Sequence, residues 1–233
     1  MNGVTFGTKH SYSSWGLILS KKEISYPEPQ TESVSVPGRD GDLDLTEALG
    51  AGVVRYKNRT LKFTFTVPDA RWGWKKQSEI ASYLHGQKLK IVLDEEKEFY
   101  WHGRCTVDSY TPNKGICTVV IKCDVEPYKM QVSDGAGYWL WDPFSFKDSI
   151  IPQSKITLTS GKETKVNLAN LKKQVSPTFT TTTHDVTVTF NGTTYLLDYG
   201  TSTLYDILLQ EGDNFLTFKG TGTVTISYKG GML

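Results

Sequence analysis

The chain of 233 residues carries a net charge of +1, with 38% hydrophobic and 12% aromatic residues, so it has enough apolar material for one large or two medium packed cores. A near-neutral chain without a clustered basic face gives no reason to expect nucleic-acid binding, and no apolar run approaches the ~20 residues of a membrane span. The first residues, Met1-Asn2-Gly3-Val4-Thr5, lack a basic region followed by an apolar stretch, so neither membrane insertion nor signal-directed export is expected.

In chain order, residues 4–7 and 15–19 read as short strands separated by a polar turn over residues 9–14. Tyr26-Pro27-Glu28-Pro29-Gln30 must be extended, because each proline lacks a donor and pushes its predecessor out of the helical region. Residues 32–36 and 42–46 then alternate polar and apolar side chains as half-buried strands do. Between them Pro37-Gly38 suits a type II turn and Asp40-Gly41 supplies a second turn. Two turns in succession predict a stiff, protruding loop with Arg39 and Asp40 at its tip, suited to gripping another surface.

Gly50-Ala51-Gly52 is a flexible point, after which residues 56–67 resume the strand pattern with Leu61, Phe63 and Phe65 on one side. One helix stands out, from Trp72 or Trp74 to His85. Ile80, Ala81 and Leu84 recur at helical spacing, Trp74 and Gln77 extend that side, and Gly86 stands where a left-handed cap is expected. Residues 89–93 form a strand ending at Asp94-Glu95-Glu96. Residues 105–110 and 116–123 form a hairpin about Pro112-Asn113-Lys114-Gly115, with Cys117, Val119, Ile121 and Cys123 on one face. The cysteines, Cys105, Cys117 and Cys123, are odd in number and lack Cys-x-x-Cys spacing, which points to buried thiols in a reducing compartment.

By this point the order of motifs resembles the distal tail protein family (Dit) of long, non-contractile phage tails. The matching elements are Phe6-Gly7, Trp15-Gly16-Leu17, Pro27-Glu28-Pro29, the string from Val36 to Gly41, Asp44-Leu45-Thr46, Asn58 to Thr60, Leu84-His85-Gly86, Leu93-Asp94, Gly103-Arg104 and Pro127-Tyr128-Lys129. They cover residues 1 to about 130, and Val-Pro-Gly-Arg-Asp-Gly is the most specific. Val125-Glu126 intervene where the family's closing Pro-Tyr would directly follow Cys123-Asp124.

Ser133-Asp134-Gly135-Ala136-Gly137 then forms a small, flexible junction, followed by the aromatic cluster Tyr138-Trp139-Leu140-Trp141-Asp142-Pro143-Phe144. Domains are therefore expected at residues 1–132 and 133–233. Short strands follow at 155–159, 165–168, 178–183, 185–190, 193–199, 214–219 and 223–229, with Asn191-Gly192 as the strongest turn signal. That spacing suggests a β-sandwich. The half resembles the galectin-like or carbohydrate-module-like second domain of distal tail proteins through Trp141-Asp142-Pro143-Phe144, Asn191-Gly192 and Gly212-Asp213-Asn214. The expected class is thus mainly β, two β-sandwich-like domains with one helix in the first.

No catalytic, cofactor or metal site emerges. Asp40, Asp42 and Asp44 alternate like the start of a calcium loop, but Leu45 stands where glycine is needed and Ala51 where the closing glutamate belongs. His10, His85, His102 and His184 share no metal spacing, and His102 and Cys105 fall on opposite sides of a strand. Asp94-Glu95-Glu96 with Glu98 could furnish the two carboxylates of a glycosidase, though a solvated turn explains them equally well. Trp139 and Trp141 share one side of their segment, as a sugar-stacking shelf or a buried contact would require.

The resemblance implies a non-enzymatic structural protein of the virion at the phage tail tip. It implies a homohexameric ring that joins the tail tube protein to a tail-associated hub or fibre protein. Pro37, Gly38, Arg39, Asp40, Gly41 and Asp44 are the candidates for the contact between subunits. A receptor-binding protein or host polysaccharide is a further expected partner of the second domain. The competing class is a carbohydrate-binding adhesin module, with Trp139 and Trp141 contacting host cell-wall polysaccharide, and the third is a tail-associated hydrolase.

Overall fold

The computed structural model describes residues 2–50, 52–68, 73–113, 116–132 and 155–233. The chain divides into two compact units, Met1–Glu95 with Trp101–Pro127, and Glu96–Tyr100 with Tyr128–Leu233. The expected junction at 133–137, the aromatic cluster at 138–144, and Lys114-Gly115 of the hairpin turn lie outside the described residues.

In chain order the first half contributes β1 (Val4–Phe6), β2 (Lys9–His10), α1 (Ser11–Trp15), β3 (Ile18–Ile24), β4 (Pro29–Gln30), β5 (Ser33–Ser35), β6 (Asp42–Asp44), α2 (Thr46–Leu49), β7 (Arg55–Tyr56) and β8 (Arg59–Val67). Next come α3 (Gly73–Leu84), β9 (Lys88–Leu93), β10 (Phe99–Asn113), β11 (Ile116–Val125) and β12 (Lys129–Gln131). The first unit is an antiparallel sheet in the order β2-β1-β9-β10-β11-β8-β3. Strict alternation in β8 and β11 puts Leu61, Phe63 and Phe65, and Cys117, Val119, Ile121 and Cys123, on one buried face. Ile80 and Leu84 of α3 close over that face together with Trp15 and Leu17. Phe6 meets Phe63 edge to face at 5.9 Å, the arrangement aromatic quadrupoles favour.

Three expectations need correction here. Residues 9–14 are not a turn, and Trp15 does not begin a strand: a helical turn occupies Ser11–Trp15 and ends at Gly16. Its cap is His10, whose Nδ1 accepts the Tyr12 and Ser13 N–H groups at 3.3 and 3.2 Å, while Nε2 lies 3.0 Å from an Asp94 carboxylate oxygen. With Nδ1 accepting, the ring proton sits on Nε2 and is donated to Asp94. His10→Ala is expected to cost about 1 kcal/mol, the usual worth of an N-cap, read as a lower urea midpoint at unchanged slope. A second short helix, Thr46–Leu49, ends the segment expected to be strand through Thr46, so α3 is not the single helix. On α3 itself Trp74 does not extend the buried side but is 63% exposed.

The second unit adds β13 (Lys155–Leu158), β14 (Thr164–Asn170), β15 (Thr178–Thr181), β16 (Val186–Phe190), β17 (Thr193–Leu197), β18 (Gly200–Thr203), β19 (Gly212–Lys219), β20 (Gly222–Ser227) and β21 (Gly231–Met232). Two four-stranded antiparallel sheets, β13-β20-β15-β18 and β14-β19-β16-β17, share one core that includes Phe179, Val188, Leu216, Phe218 and Ile226. This is the sandwich that the strand spacing suggests. Asn191 takes a left-handed conformation (φ 49°) between β16 and β17, as a tight primed turn requires. Sequence reading missed β18 and β21; the latter pairs with β12, which in turn pairs with Phe99 and Tyr100.

Candidate functional site

The first unit departs from its sheet in one place. At the end of β3 the Ser25 hydroxyl donates to the Thr60 carbonyl and accepts the Thr60 N–H, each at 2.9 Å, and so closes a neck. Between these residues the chain makes an excursion. Its stem is β4 against β7, with Lys57 N–H bonded to the Glu28 carbonyl at 2.9 Å. Its outer part is β5 against β6, a two-stranded ribbon. Every residue from 28 to 44 is exposed.

Local chemistry builds this arm. The Arg39 N–H bonds to the Val36 carbonyl at 3.2 Å, closing a turn with Pro37 and Gly38 at its centre and Gly38 at φ 83°. This is the expected type II turn, in which the second central residue needs positive φ. Gly41, at φ 76°, makes the second bend before β6. Arg39 and Asp40 therefore stand at the tip, and neither makes an ion pair among the described residues. Asp44 instead braces the arm from within, its carboxylate accepting the Thr46 N–H at 2.9 Å. The Thr46 side chain and backbone hold its pKa below the ordinary aspartate value. Glu32 is bonded from its N–H to the Thr46 hydroxyl and from its carbonyl to the Leu45 N–H, so the base of the ribbon is tied shut.

The ribbon is two-faced. Val34 lies directly across from Leu43, with Val36 next along the same side, while Ser33, Ser35, Asp42 and Asp44 occupy the other. Residues 32–36 and 42–46 were expected to be half-buried, yet Val34 is 49% and Leu43 36% exposed. Alternation correctly marks the ribbon as amphipathic, but among the described residues nothing buries its apolar side. Trp139 and Trp141, the sugar-contact candidates, lie outside the described residues.

Among the described residues no three His, Cys, Asp or Glu side chains gather as metal ligands, and no helix is long and apolar enough to cross a membrane. Cys105 and Cys123 are in register, their sulfurs 3.2 Å apart, and their mutual hydrogen bond together with burial pushes the Cys123 thiol far up, so it is inert as a nucleophile. Glu95 and Glu96 are engaged by Lys22 and Lys129.

This mainly β architecture, one sheet-based unit and one sandwich unit, has a counterpart among solved phage proteins. One solved structure with it is the crystal structure of SPP1 Dit (gp 19.1), described as a paradigm of the hub adsorption apparatus in phages infecting Gram-positive bacteria. The likeness covers 98% of this chain and 99% of that one at a TM-score of 0.67 and 12% sequence identity. At that identity the two share a fold, the one that the motif order of the sequence resembles. No family model matches the chain, and no curated protein matches it.

Proposed function

We propose that this protein is a non-enzymatic distal tail protein of a phage virion. Its first unit assembles into a homohexameric ring that joins the tail tube protein to the adsorption apparatus, with the second unit facing hub, fibre or receptor-binding partners. The observation that carries this reading is the bare apolar side of the arm. A two-stranded ribbon is marginal by itself in water, so one that exposes Val34, Val36 and Leu43 is built to be covered by another molecule. A heterologous contact, one patch meeting a different patch on the next copy, closes into a ring when both patches ride on one rigid body. The fold shared with SPP1 Dit makes a tail hub the natural setting.

The test is assembly of the full chain by analytical ultracentrifugation. Val34→Ser with Leu43→Ser removes apolar area where the monomer does not bury it, so melting should be unchanged. The concentration at half assembly should rise at least about tenfold, because burying two such side chains is worth roughly 1.5–3 kcal/mol each. An unchanged assembly curve would refute the interface role.

A second reading, a sugar-binding module, has one observation in its favour. On the outer face of β19 Phe215 is 68% exposed and lies across from Asn167, whose amide donates to Asp213 at 2.8 Å. An exposed ring beside a planar polar pair suits a pyranose face. Loss of retention on wall polysaccharide in Phe215→Ala would support it.

A further inference from the structure

The outer face of the first unit's sheet holds an open groove of about 520 Å³, the size of a few side chains, beside the foot of the arm. Its floor is one cross-strand row in which Glu23, Lys62 and Lys122 stand side by side on β3, β8 and β11. Lys62 and Lys122 are thus directly opposite one another, an arrangement of like charges that costs stability unless an anion lies between them. Glu23, across from Lys62, has its carboxylate bonded to Lys21 at 2.7 Å and acts on Lys62 only through space, leaving Lys122 without a carboxylate in the row. Asp108 forms the groove's far wall. It sits in a register shift between Val107 and Ser109, a bulge that takes its side chain out of the ladder. Neither Lys122 nor Asp108 makes an ion pair among the described residues.

The arm tip has the matching deficit. Arg39 and Asp40 are adjacent, exposed and likewise unpaired, and no residue of the tip lines the groove of its own chain. Both features belong to the same unit. Resting on the ring reading above, we infer that the occupant of the groove is the arm tip of a second copy, with Asp40 set between Lys62 and Lys122 and Arg39 against Asp108. Two opposite-charge contacts in fixed order give the contact its direction. A tip inserted the other way round would meet like charges on both sides.

The inference has a test that the ring reading alone does not. Reversing the tip (Arg39→Glu with Asp40→Lys) or the groove (Asp108→Arg with Lys62→Glu and Lys122→Glu) should each raise the concentration at half assembly by about a hundredfold or more, since like charges are then brought together at a desolvated contact. Melting of each variant reports that the fold is intact. Mixed in equal amounts, the two variants should assemble again. A reversed tip fits a reversed groove, a native tip fits a native groove, and an even-membered ring can alternate the two chains throughout. If the native chain assembles and either variant assembles equally well, or if two folded variants fail to complement each other, the groove is not the receptor and the inference falls while the ring reading stands. If the native chain stays monomeric at every concentration, the ring reading falls with it.

Discussion

Gly103→Val is expected to destabilise the first unit by about 3 kcal/mol or more, a large fraction of the roughly 5–15 kcal/mol that keeps an ordinary domain folded. Gly103 is flanked on β10 by two side chains of the covered face, Trp101 and Cys105, so its own side chain would also point into the core. A Cβ placed there would collide with the Asp124 carbonyl oxygen and come within 2.5 Å of Val125 Cα. Both belong to the backbone of β11, and Gly103 is paired with Val125 on that side and with Leu89 of β9 on the other. A side chain can rotate away from an intruding methyl; a backbone held by two ladders cannot. The collision is therefore relieved only by parting strands at the centre of the sheet. Gly103→Ala should show most of the same loss, because the clash is with Cβ itself. A loss below about 1 kcal/mol in the alanine variant would mean that β10 and β11 can separate locally at little cost.

What could be read in the sequence was what local chemistry or a long period determines. Leu61, Phe63 and Phe65, then Cys117, Val119, Ile121 and Cys123, repeat every second residue over lengths that leave little choice but a strand covered on one face. The 36–39 turn was legible because proline and glycine fix its dihedrals without help from elsewhere. The missed elements lack such signals. Helix α1 is capped by a histidine, outside the usual Ser, Thr, Asp and Asn, and β21 is two residues long with no period to detect. Val34 and Leu43 are a different kind of miss. Alternation reports that a strand has an apolar side and says nothing about which chain covers it, so the same pattern fitted a buried strand and a bare ribbon. Lys62 and Lys122 are 60 residues apart and become neighbours only through the register of β8 and β11, so the groove was beyond any local reading. Asp44, a contact candidate from its place beside the turn, also has an internal task that the spacing did not show: its carboxylate accepts the Thr46 N–H and helps close the arm.

Phe99→Ala is expected to act on the second unit, although the residue lies in the first half of the chain. Strand β10 begins with Phe99 and Tyr100, which are grouped with residues 128–233, and continues from Trp101 as the central strand of the first unit. Phe99 is fully buried, is paired with Gln131 of β12, and has the Lys129 ammonium 5.0 Å from its ring centre. That ammonium is also bonded to both carboxylate oxygens of Glu96 at 3.0 Å, so the segment 96–100 is pinned to β12 by an ion pair as well as by backbone. Strand β12 carries β21, through Lys129 against Met232 and Met130 against Gly231. Truncating the ring opens a cavity under this small three-strand patch, and a Phe→Ala change at a fully buried site costs about 3–5 kcal/mol. If the two units melt separately, the transition belonging to residues 128–233 should fall by several degrees while that of the first unit stays in place, read by calorimetry on the full chain. A fall in the first unit's transition instead would mean that residues 96–100 are energetically part of the sheet that β10 goes on to join. The same logic applies to cutting the chain. A fragment beginning at Tyr128 leaves β12 and β21 without Phe99, so it should be less stable than the same residues within the intact chain, and limited proteolysis of the two would register the difference.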